Sequence, residues 1–224
     1  MPQTRFPRRL MILLIVGAAV LAVLVGVGLY GLLLAPRSEP SPGGSSTSDP
    51  PGASTSAPSP TSSTPPVVRE SDDPETFARA LAIALFTWDT ATEFGPTDYA
   101  QVIVDVGDPS GNETAGLASD VRTYLPTADA WAQLRTMQTR QWLDINDVFV
   151  PDEWATALEQ AAEGQILPGT VAYTITGIRQ REGIHGTEPV TSSHEVAFTV
   201  FITCEPTFDT CRALRISELD NPLR

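Results

Sequence analysis

No lysine occurs anywhere in the 224 residues, and histidine and cysteine occur only twice each. Fourteen arginines stand against 27 acidic residues, for a net charge of −13. Nucleic-acid binding needs basic surface to displace counterions from phosphates, so this balance argues against it and no direct nucleic-acid partner is expected. The excess sharpens toward the C-terminus: from Ser71 to Arg224 there are 24 acidic residues and 9 Arg, or −15. Anionic headgroups repel such a segment, so it is not expected to lie flat on a bilayer. The simpler reading of the charge is solubility in a solvated compartment.

Signatures of chemistry are also missing. There is no Gly-x-Ser-x-Gly elbow, no His-Glu-x-x-His and no phosphate-cradling glycine loop. His185 sits in Gly-Ile-His-Gly within an expected loop, and His194 opens an expected strand. Each reads as a solvated surface histidine. Paired carboxylates arise by chance in so acidic a chain, so spacing alone selects none. Tyr99, Tyr124 and Tyr173 are conceivable pocket groups that nothing in the sequence singles out. Trp88, Trp131, Trp142 and Trp154 read as core or pocket lining rather than an aromatic binding box. No catalytic, cofactor-binding or metal-ligating residue is assigned, and the chain reads as a non-enzyme. The sequon Asn112-Glu113-Thr114 matters only in a eukaryotic secretory pathway.

What the chain does have is one long apolar run. Leu10 to Leu34 carries no charge over 25 residues. A membrane helix needs roughly 20 apolar residues, and at ~1.5 Å per residue this run spans about 37 Å. Arg5, Arg8 and Arg9 precede it, while Arg37 and Glu39 offset each other after it. The positive-inside bias then places a basic tail (1–9) in the cytoplasm, a transmembrane helix over 10–34 and the rest outside, with Tyr30 at the outer interface. A cleaved signal peptide is the alternative. Its apolar run is shorter, ~7–15 residues, and Leu33-Leu34-Ala35-Pro36 makes a poor cleavage site. No cysteine follows the run, which excludes a bacterial lipoprotein anchor. Ala18, Ala22 and Gly26 recur at four-residue spacing, a face that lets two membrane helices approach closely; small residues recurring by chance are the alternative.

Residues 35–70 are mostly Pro, Ser, Thr and Gly. Such a segment buries too little apolar area to offset its ordering entropy, so it reads as a disordered stalk or plain spacer. Its composition also suits O-glycosylation.

Residues 71–224 are long enough for one extracytoplasmic domain. Asp72 or Asp73 can cap a first helix, with Pro74 at its first position. Phe77, Leu81, Leu85 and Trp88 form an apolar stripe at helical spacing. Gly95-Pro96 punctuates, Thr97 can cap a second helix through Ile103 and Val106, and further helices are expected over 113–124 and from Pro126-Thr127 through Leu134. Gln141–Val150 reads as a strand, and Pro151-Asp152 as the start of a short helix through Leu158. Val171, Tyr173 and Ile175, and then Val196, Phe198, Val200 and Ile202, alternate with period two, the clearest strand signal in the chain. A last strand is expected from about Cys211 to Ser217, and Gln180 to Ser193 reads as a long polar connection. Helices first and antiparallel strands after give an α+β domain, with helices packed on a curved sheet. Cys204 and Cys211 flank the turn before the last strand. An oxidising compartment permits a disulfide there, contributing roughly 2 kcal/mol by loop closure. Metal binding is the alternative, for which two cysteines without a neighbouring histidine lack a four-ligand set.

The order of basic tail, membrane helix, linker, helices and strands resembles the bitopic scaffold subunits of type IV secretion and conjugation machines. Phe77-Ala78-Arg79-Ala80, Ala84-Leu85-Phe86-Thr87-Trp88-Asp89-Thr90, His194-Glu195-Val196-Ala197-Phe198-Thr199-Val200-Phe201 and Leu219-Asp220-Asn221-Pro222-Leu223-Arg224 look like stretches of actinobacterial proteins from conjugative elements. The resemblance implies a cone-shaped outer domain, nuclear-transport-factor-2-like or cystatin-like. It also implies a scaffold role in a cell-envelope complex for conjugative DNA transfer. The partners it implies are the lipid bilayer, other envelope or secretion-channel proteins and a second copy of the chain. An extracytoplasmic small-molecule-binding domain of the same fold is the alternative.

Overall fold

The computed structural model describes residues 64–223. The expected tail, the membrane helix with Ala18, Ala22 and Gly26, and residues 35–63 of the linker lie outside them. Among the described residues no helix is long and apolar enough to cross a membrane. Helices α1 (Pro74–Phe86), α2 (Pro96–Val104), α3 (Thr114–Tyr124) and α4 (Ala128–Thr136) come first, with a two-residue strand β1 (Trp88–Asp89) after α1. Strand β2 (Arg140–Phe149), helix α5 (Glu153–Gln160) and strands β3 (Thr170–His185), β4 (Glu188–Thr203) and β5 (Arg212–Ile216) follow. The strands form one antiparallel sheet in the order β1-β2-β3-β4-β5. The sheet curls into a half-barrel with helices packed on it, the α+β class expected.

Local chemistry sets the helix ends. The Asp73 carboxylate caps α1 by accepting from the Thr76 amide at 2.8 Å, and the Thr76 side chain, then that amide, hold its pKa below the usual value. Thr127 caps α4 by accepting from the Ala130 amide. The second helix starts earlier than Thr97 suggested: Gly95 is its N-cap, Pro96 fills the first turn, and the Asp98 carboxylate accepts from the Gly95 amide at 2.7 Å. The stripe on α1 ends at Phe86. Thr87 turns extended, and Trp88 leaves the helix to start β1.

The main core lies between α1, α3 and the concave side of the sheet. Phe86, Tyr124 and Phe198 meet there with ring centroids 5.2–5.7 Å apart, and Leu81, Ile103, Ile175 and Ile202 are fully buried around them. A satellite cluster of Trp88, Tyr99 and Trp131 closes the α4 end. On the opposite face of the sheet α5 packs Trp154 against Phe201. Asp120 grips β5 from α3, accepting from the Arg215 guanidinium at 2.7 and 3.0 Å and from the Ile216 amide. Val68, assigned to the linker from sequence, is buried in the main core, so the packed chain begins ahead of Ser71.

The largest difference from expectation is Gln180–Ser193. It is not a loop. β3 and β4 pair without interruption from Thr170↔Thr203 to His185↔Glu188. A two-residue turn joins them, and Gly186 takes its positive φ of 66°. The sequence hid this because polar residues occupy both faces of the distal hairpin, which erases the period-two signal. Cys204 and Cys211 are disulfide-bonded across the β4–β5 connection.

Two stability outcomes follow. Phe198→Ala leaves a cavity at the centre of the ring cluster and is expected to cost about 3–5 kcal/mol in denaturant unfolding. A loss below about 1 kcal/mol would mean the cluster is not the core. Replacing both cysteines by alanine is expected to cost about 2 kcal/mol in the same measurement, and no change would remove the loop-closure role.

Candidate functional site

Two features of the β3–β4 hairpin are candidates for a site. The first is a groove on the concave side, with a volume near 390 Å³. Strand alternation puts Arg179 and Arg181 on the same face of β3, two positions apart. Tyr124, Leu125, Leu134, Met137 and Leu219 line the groove opposite them. No carboxylate lines it, and neither arginine forms an ion pair among the described residues. The Arg181 Nε donates to the Gln141 side-chain Oε1 at 2.7 Å, and its guanidinium lies 5.3 Å from the centroid of the Trp88 ring. Burial, and then the charge of Arg179, lower the Arg181 pKa from its usual value. The Arg179 Nε is buried with no hydrogen-bond partner. Two half-buried guanidiniums thus stand side by side with no acid among the residues lining the groove.

The second feature is the outer edge of β4. Every residue from Glu188 to Glu195 is exposed. The inner edge of the hairpin is occupied: β2 pairs with β3 as far as Glu182, and the Met137 carbonyl accepts from the Ile184 amide at 2.7 Å. The outer edge is covered only at its far end. β5 pairs with Val200–Thr203, and the chain after β5 continues the cover. The Thr199 carbonyl accepts from the Ser217 amide, and the Ala197 carbonyl accepts from the Asp220 amide. Ala197 and Thr199 thus turn their N–H and C=O groups outward. With no register shift along this hairpin, alternation turns those of Glu195, Ser193 and Thr191 outward as well. Nothing in the described residues meets these three. A sequence reading that made this stretch a loop had no means of finding an edge.

The other singled-out residues fall in ordinary places. Tyr124 donates to the Ser217 carbonyl at 2.6 Å, and burial pushes its hydroxyl well above the usual pKa. It is therefore a neutral donor rather than a base. Burial, then Glu75 and Asp73, raise Tyr173 as well. Tyr99 is buried, with its hydroxyl donating to the Asp89 carbonyl. Trp88, Trp131 and Trp154 are buried, and Trp142 is half-buried with the Arg140 guanidinium over its ring. His185 and His194 are exposed on the hairpin.

Arg179→Ala removes a cation without an ion-pair partner and a buried donor without a hydrogen bond. It is expected to leave unfolding stability within about 0.5 kcal/mol of wild type. Arg181→Ala loses the Gln141 hydrogen bond and the packing on Trp88 and is expected to cost about 1–2 kcal/mol. Denaturant melts check both; equal losses would mean that Arg179 is an ordinary structural residue. The chain matches no protein-family model, no curated protein and no solved structure.

Proposed function

We propose that this protein is a non-enzymatic, membrane-anchored scaffold or assembly component of a cell-envelope complex, of the kind that serves conjugative DNA transfer through type IV secretion. In this reading residues 1–9 are cytoplasmic, 10–34 cross the membrane once, and the α+β domain stands outside as a nuclear-transport-factor-2-like or cystatin-like cone. The observation that carries the proposal is the open edge of β4. A strand edge that presents unpaired backbone groups is a template for another chain, and folded proteins usually blunt or cover such edges. The interior of the half-barrel, filled by Phe86, Tyr124 and Phe198, also suits a protein that works through its surface.

Crosslinking the full-length protein in its native membrane, followed by identification of what is captured, tests the proposal. Envelope or secretion-channel subunits are the expected products. Capture of no membrane protein, this chain included, would overturn it.

The Arg179–Arg181 groove favours a second reading, a binding domain for a small organic anion. The volume is within the range of small-ligand sites, and an apolar wall faces two guanidiniums. Hexanoate is then expected to perturb the emission of Trp88, which lies under Arg181, in a saturable way. Hexanamide is expected to leave it unchanged, and Arg179→Ala to weaken hexanoate binding at least about tenfold. An equal response to hexanamide, or none to hexanoate, would eliminate this reading.

A further inference from the structure

The Arg179–Arg181 groove does not end at Arg181. A second hollow, near 250 Å³, adjoins it and shares Leu134, Met137 and Arg181 with it. Gly183, Val190 and Ser192 also line this hollow. Register explains the continuity. Gly183 pairs with Val190 and Arg181 with Ser192, and alternation puts all four on the concave face that carries Arg179. The two hollows therefore form one trough that follows β3 toward the turn. Its wall on the α4 side depends on a glycine. A Cβ on Gly183 would stand 2.9 Å from the Met137 carbonyl oxygen, the same oxygen that accepts from the Ile184 amide.

The two ends of the trough differ in chemistry. One holds the guanidiniums. The Arg179 Nε is buried without a hydrogen-bond partner, and the Arg181 Nε is bonded to Gln141, which leaves its terminal N–H groups for a ligand. The other end holds Leu134, Met137 and Val190, the last 44 % exposed. Glu182 is the one acid bordering that end. Alternation turns its side chain to the opposite face, where it pairs with Arg140. Four residues of strand, about 13 Å, separate Arg179 from Gly183.

We propose that the trough takes a monocarboxylate with an unbranched alkyl tail, the carboxylate on Arg179 and Arg181 and the tail in the hollow between Met137 and Val190. This rests on the anion-binding reading of the groove and names the class of ligand. Charge selects the head. A carboxylate accepts paired N–H bonds from a guanidinium, and the field of so acidic a domain opposes a dianion more than a monoanion. Shape selects the tail. The space beyond the arginines runs along the strand between the side chains of Leu134, Met137 and Val190. An alkyl chain laid there takes its own surface and that of Val190 out of water, which favours binding in proportion to the area removed.

A chain-length series on the full-length protein tests this, read by the emission of Trp88 under Arg181. Detergent concentration is held fixed, so partition of each acid into detergent is common to every variant. Val190→Asn sets a polar amide at the exposed far end of the trough and leaves both arginines in place. Hexanoate is expected to bind wild type and Val190→Asn alike. Decanoate is expected to bind Val190→Asn at least about fivefold more weakly than wild type, since each methylene kept from water is worth about fourfold in affinity. Arg179→Ala is expected to weaken both acids by the same factor, as loss of a contact to the shared head requires. Decanol is expected to give no saturable response. Equal binding of decanoate to wild type and Val190→Asn, with hexanoate still bound, would overturn the tail site and leave the small-anion reading standing. So would an equal weakening of the two acids by Val190→Asn. A response to neither acid, or an equal response to decanol, would overturn both.

Discussion

The unbroken pairing of β3 with β4 is the constraint on which the rest of the fold depends. Sixteen residues on each strand oppose one another with no bulge between them. Side chains alternate across a strand, so this single register decides which face each residue takes. It sends Ile175, Phe198, Val200 and Ile202 under the helices and Thr174, Thr199 and Phe201 to the other side. A slip by one position would turn the core row to the opposite face and set Thr174 and Thr199 under the helices. The same register puts Arg179 and Arg181 together on the concave face and fixes which backbone groups β4 shows to solvent. Core, groove and edge are three results of one pairing.

The half-barrel is sealed where residues are large and left open where they are polar. Phe86, Tyr124 and Phe198 fill the middle, and Trp154 covers part of the outer face beside Phe201. Beyond Ile178 the hairpin has few apolar side chains to bury. Its inner strand is tied down by β2 and the Met137 carbonyl, and its outer strand by nothing among the described residues. That asymmetry makes one edge of the sheet the available contact surface. A domain of this acidity repels copies of itself at long range.

The sequence was legible where periodicity and capping chemistry were strong. Asp73-Pro74 marked the start of α1, Thr127 that of α4, and the alternation of Val196 to Ile202 the proximal half of β4. The cysteine spacing marked the disulfide. Legibility failed in three places, each for a physical reason. Trp88 keeps the spacing of the α1 stripe, but Thr87 turns extended, so the residue belongs to a strand. Thr97 is a good cap by type, yet Asp98 bonding back to the Gly95 amide sets the cap two residues earlier. The distal hairpin is polar on both faces, so its extended form rests on backbone pairing, which composition does not record. Both candidate surfaces lie on that hairpin. Arg179 and Arg181 carried no signal of their own, because two arginines at strand spacing mean little until the strand is known.

The central claim is that the outer edge of β4 is a contact surface of the protein in the membrane-anchored form proposed for it. Hydrogen exchange at the amides of Thr191, Ser193 and Glu195 measures it directly, since these donors have no partner in the isolated domain. The account expects fast exchange in detergent at high dilution and slow exchange in the membrane, with neighbouring outward amides already paired, such as Ala197, slow in both. Fast exchange at all three positions in the membrane would contradict it and leave the edge as bare, solvated strand.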